Sequence, residues 1–318
     1  MSPSAPSRAS SWLAPAPPSV AIEIASRRIT VLGLSANGAA IVSQAVEPLE
    51  AGAVMPALTG VNIPQPAIVA DALRRALDRA GLRSTRRVAL VIPDSVSRVS
   101  MLALEQVPAK ASDLSQLIRL QLRKAMPFPI DEAVISHFEA SRDTTAITIA
   151  AMAARRDVIA QYEAVVASAG IHAGIVDLAS FNVMNAVIAA GTAPAADWLL
   201  VHLASEATSL AILRGPQLLF YRHRTAIDDE PLSALVHQTA MYHEDRLGGG
   251  PFARVLISGA GTGADDITHE IGARLGAAVE TVDVRPAVEL RDRLTVSPDL
   301  LDAIAAPVGV LVRDRRAA

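Results

Sequence analysis

The sequence contains one succession of short strands and tight turns twice, and this repeat is the strongest constraint on how the chain can fold. Val201–Ser205 lies 179 residues after Ile22–Ser26, with an identical Ala-Ser pair and matching apolar positions. An internal duplication of this kind predicts two lobes with a cleft between equivalent hairpins. The strands of the two copies are predicted over 20–26, 29–35 and 39–46, and over 198–205, 208–213 and 217–224.

Length and composition agree with two folded lobes. The chain has 318 residues, of which 51% are apolar and 19% charged, so a disordered chain is excluded. Its net charge of −3 gives no electrostatic footprint for binding nucleic acid. Because the sequence has no cysteine, disulfides, thiolate metal sites and cysteine nucleophiles are excluded as well.

The positive mean hydropathy of +0.33 raises the question of a membrane span. The apolar stretches 147–154 and 181–190 are shorter than the roughly 20 residues that a spanning helix needs. Residues 1–19 are rich in Pro, Ser and Ala and lack the apolar core of a signal peptide. We therefore expect a disordered tail, a cytoplasmic protein, and a membrane link only through a partner.

Helical spacing of apolar residues and short apolar runs predict the remaining elements. Gly81 stands where a helix C-terminus needs a left-handed residue. Helices are predicted over 66–80, 112–124, 157–169, 229–246, 264–275 and 300–312, and strands over 87–93, 144–153, 254–258 and 279–284.

Gly259, Gly261 and Gly263 form a glycine-rich turn between a predicted strand and helix. Such a turn allows backbone N–H groups to approach a phosphate or a ribose. A tight strand-to-helix connection explains it equally well, and the spacing is not that of a dinucleotide-binding fingerprint.

Two pairs of polar residues, Glu23 with Ser26 and His202 with Ser205, fall at the equivalent hairpin bends. If the hairpins face each other, these side chains point at one cleft; the alternative is two solvated turns. A single carboxylate without a nearby lysine is a poor site for a magnesium nucleotide. The histidines have no metal-ligand spacing, and no residue is predicted to be catalytic or to bind a metal.

A helix followed by Met126-Pro127-Phe128-Pro129 forms an apolar corner. Together with the helix residues Leu114, Leu117 and Ile118, Met126 and Phe128 could form a groove for a partner peptide. On local chemistry alone, ordinary packing of this helix against its own domain is favoured.

In this order, the features resemble the PilM family, the actin-like (FtsA-related) assembly proteins of type IV pili. The resemblance runs from about residue 20 to residue 313 and is most specific over Leu104–Glu139, which contains the Met-Pro-Phe-Pro segment. The turn Ile257–Gly261 and the closing segment Ala306–Arg313 also match. The resemblance implies an α/β, actin-like (ribonuclease H-like) fold of two lobes with an inserted small α+β subdomain and a nucleotide cleft between the lobes.

The resemblance also implies domain limits and a partner. The first lobe would span 20–175, with the inserted subdomain at about 96–153, and the second lobe 176–318. The partner would be the N-terminal cytoplasmic peptide of a single-span PilN-like membrane protein, held by the first lobe and the subdomain at the inner face of the cytoplasmic membrane. Its expected contacts are Leu114, Leu117, Ile118, Met126 and Phe128; a homo-oligomer or ring is left open.

The sequence departs from the family at the phosphate loops, where the family has Asp-x-Gly. Here the loops read Glu23-Ile24-Ala25 and His202-Leu203-Ala204. Histidine cannot replace a carboxylate around magnesium, and an alanine methyl obstructs the approach of the backbone to phosphate. Glu23, Ser26, His202, Ser205, Gly259 and Gly261 are therefore expected to line a vestigial nucleotide cleft.

We accordingly expect a scaffold of a type IV pilus, or of a related secretion or competence machine. It would have no ATPase activity, no cofactor, and weak ATP binding at most. The alternative is an active actin-like ATPase or sugar-kinase relative that binds Mg-ATP between the lobes. A third interpretation is the cytoplasmic domain of a secretion-system protein with the same fold.

Overall fold

The computed structural model describes residues 16–225, 231–290 and 297–313. It has the predicted α/β architecture of two lobes, each built on a mixed sheet, with a smaller third sheet inserted in the first. Within these ranges no helix combines the length and the apolar character that crossing a membrane requires. The predicted tail up to residue 15 and the predicted helix start at Asp229 lie outside the described residues.

The first part of the chain forms a meander, the inserted subdomain, three further helices and two further strands. Its elements are β1 (Val20–Ile24), β2 (Arg28–Leu34), β3 (Ala40–Pro48), α1 (Pro66–Ala80), β4 (Arg87–Ile92), β5 (Ser97–Leu104), α2 (Ala111–Leu122), β6 (Ala133–Arg142), β7 (Ile147–Arg155), α3 (Arg156–Ser168), β8 (His172–Leu178) and α4 (Ala179–Ala189).

The second part repeats the meander and ends in a long helix. Its elements are β9 (Asp197–Leu203), β10 (Ala207–Arg214), β11 (Gln217–Thr225), α5 (Leu232–Leu247), β12 (Arg254–Ser258), α6 (Ala264–Leu275), β13 (Val279–Thr281), β14 (Glu289–Leu290) and α7 (Pro298–Val312).

Apart from the edge strand β14, the two large sheets share one strand order, which confirms the predicted repeat. The first runs β14-β3-β2-β1-β4-β8 and the second β11-β10-β9-β12-β13. In each, three antiparallel strands of a meander are followed by two strands parallel to its first strand. The carboxyl ends of β1 and β9 therefore occupy equivalent positions, as the cleft prediction requires.

The inserted subdomain is the antiparallel sheet β5-β7-β6 with α2 packed on one face. Ile118 and Leu122 of α2 are buried against Ile149, Ala151 and Ala153, which alternate along β7 and so share one face. The subdomain strands run from Ser97 to Arg155. The exact domain limits stay predictions.

Helix α1 begins and ends at the predicted residues. Pro66 occupies its first turn, where a missing N–H costs nothing, and Gly81 adopts the left-handed conformation (φ 68°) after its last residue. Its buried side chains follow helical spacing and pack on the first sheet.

The carboxy-terminal part of the chain returns to the first lobe. β14 pairs with β3, and α7 packs against α4 and the strands β1, β2 and β4. At the helix crossing Gly309 lies against Asn182, and a Cβ at residue 309 would come within 1.7 Å of the Asn182 carbonyl oxygen. Helix α4 lacks a clear amphipathic pattern in the sequence because almost all of its side chains are buried.

Candidate functional site

The two hairpin bends have the same backbone geometry. Ala25 N–H donates to the Arg28 carbonyl oxygen at 3.0 Å, and Ala204 N–H donates to the Ala207 carbonyl oxygen at 2.9 Å. Each bond closes a two-residue turn at the carboxyl end of the first meander strand. These amides are therefore engaged within their own turns.

The bends face each other across the cleft and are in contact. Ser26 Oγ donates to Glu206 Oε2 at 2.5 Å, although 180 residues separate them. Glu23, Ser26, His202 and Ser205 all line one cavity at this contact, the first three as buried residues. The structure thus brings together the four side chains that the repeat had placed at the bends.

The cavity between the bends is far smaller than a nucleotide. Its volume is about 40 Å³, whereas pockets for small organic ligands have about 300–1,000 Å³. It has room for about three water molecules. Three carboxylates, those of Glu23, Asp94 and Glu206, and the guanidinium groups of Arg27 and Arg28 line it, so its size and not its charge excludes a nucleotide. The residues present do not fit a nucleotide.

The sequence resemblance implies that Glu23 stands where the family has a magnesium-binding aspartate. Its carboxylate is buried and pairs with Arg28 of the same hairpin at 3.4 Å. Among the described residues, no group of three or more histidine or acidic side chains is arranged to hold a metal ion. The Nδ1 atom of His202 is buried without a hydrogen-bond partner.

A buried aspartate, Asp94, connects the two lobes deeper in the cleft. It follows β4, and its Oδ2 accepts a hydrogen bond from Ser209 Oγ on β10 at 2.8 Å. Its Oδ1 accepts a bond from the backbone N–H of Ser180, at the start of α4, at 3.2 Å. Asp94 therefore fixes one strand of the second lobe against the first lobe.

His223 extends this network. Its Nδ1 lies 2.9 Å from Ser209 Oγ, and its Nε2 lies 3.2 Å from Ser95 Oγ. The single hydroxyl proton of Ser209 is used in the hydrogen bond to Asp94. Ser209 Oγ therefore accepts a hydrogen bond from His223 Nδ1–H, and His223 Nε2 accepts one from the Ser95 hydroxyl. Burial lowers the pKa of the His223 imidazole, which keeps the ring neutral at pH 7.

Tyr221 completes the hydrogen bonding of Ser209. Its hydroxyl donates to Ser209 Oγ at 3.2 Å and lies 3.0 Å from Ser180 Oγ. Burial raises the pKa of this hydroxyl, so it stays protonated. Its ring stacks on Phe181 of α4, with the ring centroids 5.0 Å apart. Polar and aromatic contacts together hold the cleft closed.

Sequence reasoning did not single out the network residues. Asp94 carried a signal, since it follows a buried parallel strand at the sheet edge where ligand-binding groups collect. Ser209, Tyr221 and His223 lie on meander strands, and nothing in their local pattern indicates that they face the other lobe.

The glycine turn lies beside this cavity and not among its lining residues. Gly259 has φ 84°, and a Cβ there would come within 1.9 Å of the Leu203 carbonyl oxygen at the end of β9. The N–H groups of Gly259 and Gly261 both donate to the carboxylate of Asp302 on α7. Glycine is thus required by a close approach to the neighbouring strand.

The residues predicted to bind a partner belong to the core of the inserted subdomain. Ile118 and Phe128 are buried in it, and the Arg155 guanidinium lies 6.0 Å from the centre of the Phe128 ring. Leu114, Leu117 and Met126 are half-buried at its margin. The set is contiguous, but Ile118 and Phe128 have structural contacts of their own.

A groove of about 430 Å³ opens where the subdomain meets both lobes. Its walls are the loop segment Pro56–Leu58, the start of β5 at Ser97–Val99, and the end of β11 from Tyr221 to Thr225. Leu58 also packs against the apolar cluster of the subdomain. Through Leu58, the groove borders the apolar cluster of the subdomain.

Comparison with known proteins agrees with this architecture. The sequence profile of the type IV pilus assembly protein PilM family matches residues 21–230. A solved PilM-PilN type IV pilus biogenesis complex is similar, with a TM-score of 0.81 and 18% identity over 94% of this chain and 99% of that chain. No curated protein matches the sequence.

More distant structures share the fold. A protein of actin-like ATPase fold and unknown function from Bacteroides thetaiotaomicron has a TM-score of 0.50 and 9% identity, over 85% of this chain and 91% of that chain. The ethanolamine utilization protein EutJ from Carboxydothermus hydrogenoformans has a TM-score of 0.50 and 12% identity, over 94% and 90%. The fold is actin-like, as expected.

Proposed function

This chain belongs to the PilM family of type IV pilus assembly proteins, and we propose that it is a non-enzymatic scaffold of such a machine. It would dock the N-terminal cytoplasmic peptide of a single-span PilN-like membrane protein. Through that partner it would be held at the inner face of the cytoplasmic membrane. A related secretion or competence machine would use the same contacts.

The closed cleft is the main observation in favour of a non-enzymatic role. Its cavity of about 40 Å³ is too small for ATP. Ser26 and Glu206 at its mouth, and Asp94 and Ser209 deeper inside, are hydrogen-bonded across it. Opening the cleft for a nucleotide would break these bonds, both of which are accepted by carboxylates. This supports loss of ATP hydrolysis and of nucleotide binding.

Thermal unfolding in the presence of Mg-ATP or Mg-ADP tests this part of the proposal. A ligand at 100 times its Kd stabilises the folded state by about 2.7 kcal/mol, which a melting curve detects readily. We expect no shift in Tm at millimolar nucleotide. A clear stabilisation, or phosphate release above a no-protein blank, would favour the active ATPase or sugar-kinase relative instead.

The groove between the subdomain and the two lobes supports the docking role. Its volume of about 430 Å³ suits an extended peptide segment far better than the cleft does. β5 is an edge strand of the subdomain sheet, so its outer backbone groups can pair with an added strand. Leu58 and Val99 offer apolar contacts, and the exposed Arg98 offers a cation for a carbonyl or carboxylate.

A matched pair of variants on one loop tests the docking site. Leu58→Glu places a charge in the groove, while Met55→Glu places one three residues earlier, where the side chain is 56% exposed. With a synthetic N-terminal peptide of the PilN-like protein, Leu58→Glu should weaken binding at least about tenfold, a change of about 1.4 kcal/mol. Met55→Glu should bind as the unmodified protein does. Equal affinities would contradict this placement.

Leu117 and Leu120 form a second pair on α2. Leu117 is half-buried at the cluster margin, whereas Leu120 is 65% exposed. Leu117→Glu should weaken peptide binding, and Leu120→Glu should not. Phe128 is unsuitable for such a test, because a charge there would enter the subdomain core.

A further inference from the structure

The turn Gly259–Gly261 presents two backbone N–H groups to one carboxylate. Gly259 N–H donates to Asp302 Oδ1 at 2.9 Å, and Gly261 N–H donates to Asp302 Oδ2 at 2.6 Å. Both glycines have positive φ, 84° and 55°. Amides of one turn that converge on one anion are the arrangement by which loops before helices hold phosphates and carboxylates.

The carboxylate comes from a helix that packs on the other lobe. Asp302 lies in the first turns of α7, and Ile304, Ala305 and Val308 of the same helix are buried in the main apolar cluster with β1 and β4. The glycine turn, by contrast, follows β12 of the second sheet. One side chain therefore joins the turn of the second lobe to a helix seated on the first.

We propose that the Gly259–Gly261 turn is an anion-binding site whose ligand is the chain's own Asp302 carboxylate. In this role Asp302 of α7 ties the glycine turn to the first lobe. Each carboxylate oxygen accepts one amide proton, so both turn amides are used and an external anion would have to displace Asp302. The proposal rests on the proposed function, because it takes the cleft to bind no nucleotide.

Rescue by a small carboxylate tests the site without using nucleotide. Asp302→Ala removes the ligand and leaves space for formate. Its Tm should fall by roughly 5 °C, the expected effect of losing two charge-assisted hydrogen bonds in a protein of this size. Sodium formate should then raise the Tm of Asp302→Ala more than sodium chloride of equal concentration does. The unmodified protein should respond to both salts alike.

Glu270→Ala is the matched control, since Glu270 is an exposed carboxylate on α6, away from the glycine turn. It should show neither the loss of Tm nor the specific response to formate. An Asp302→Ala variant with the same Tm as the unmodified protein would overturn the proposal. So would a formate response that is the same in both variants.

If Asp302→Ala does not fold, Asp302→Asn keeps the shape of the side chain and removes its charge. Hydrogen exchange of the Gly259 and Gly261 amides should then be about tenfold faster than in the unmodified protein. Unchanged exchange would overturn the proposal. Nucleotide binding by the unmodified protein would instead contradict the proposed function, so the two failures are distinguishable.

Discussion

Ser26 and Glu206 occupy the tips of two equivalent hairpins, and the hydroxyl of the first donates to the carboxylate of the second at 2.5 Å. The serine at the corresponding position of the second hairpin, Ser205, is exposed. The duplicated bends thus have the same backbone geometry, but different positions in them supply the side chain that contacts the other bend. One supplies the donor and the other the acceptor of a bond that closes the cleft.

The contribution of this bond can be measured with a double-mutant cycle of Ser26→Ala and Glu206→Ala. Hydrogen bonds to charged groups contribute about 1.5–3 kcal/mol, and partial exposure of Glu206 places the expected coupling near the lower figure. Urea unfolding of the four proteins gives the coupling energy. Ser205→Ala should stay within about 0.5 kcal/mol of the unmodified protein. A coupling energy of zero would mean that the bond does not hold the bends together.

The buried imidazole of His223 should make the closed cleft sensitive to acid. Burial depresses its pKa in the folded state below the unfolded value of about 6.5. Between the two pKa values the unfolded chain binds more protons, so the free energy of unfolding falls as the pH drops below about 6.5. His223→Gln should flatten the decline of Tm between about pH 7 and pH 5.

His269→Gln is the control for this prediction, because His269 is exposed on α6. Its Tm should follow the pH profile of the unmodified protein. If His223→Gln keeps that profile as well, the acid sensitivity does not arise from the cleft network.

The crossing of α4 and α7 should not tolerate a methyl group at Gly309. Alanine is the better helix former by about 1 kcal/mol, but its Cβ would lie 1.7 Å from the Asn182 carbonyl oxygen. Since that oxygen belongs to backbone, α7 must shift, and we expect Gly309→Ala to lower the free energy of unfolding by about 3 kcal/mol. Gly263→Ala, which meets no atom within 4 Å, should be nearly neutral. Equal stability of the two variants in urea would contradict the close helix packing.

Structural features could be predicted from the sequence where they depend on neighbouring residues or on the internal repeat. The matching strands and bends predicted two equivalent hairpins, and Glu23, Ser26 and His202 were expected at one cleft if these hairpins faced each other, with two solvated turns as the alternative. Helix α1 could be placed to the residue, because Pro66 and Gly81 mark its ends chemically.

Closure of the cleft could not be predicted in the same way. Asp94 meets Ser209 across 115 residues, and Gly259 meets Asp302 across 43. Such contacts depend on how the lobes and α7 pack, which no local pattern encodes. Helix α4 was not predicted, because a helix that is buried on nearly all sides has no polar face. Its sequence therefore lacks the alternation of polar and apolar residues by which a helix is recognised.

Binding of the partner peptide with and without nucleotide tests the central claim most directly. The N-terminal peptide of the PilN-like protein is titrated calorimetrically into the full-length chain, in buffer alone and with millimolar Mg-ATP. A closed scaffold predicts the same Kd in both titrations. Binding that requires Mg-ATP, or a Kd that changes tenfold or more with it, would contradict the account.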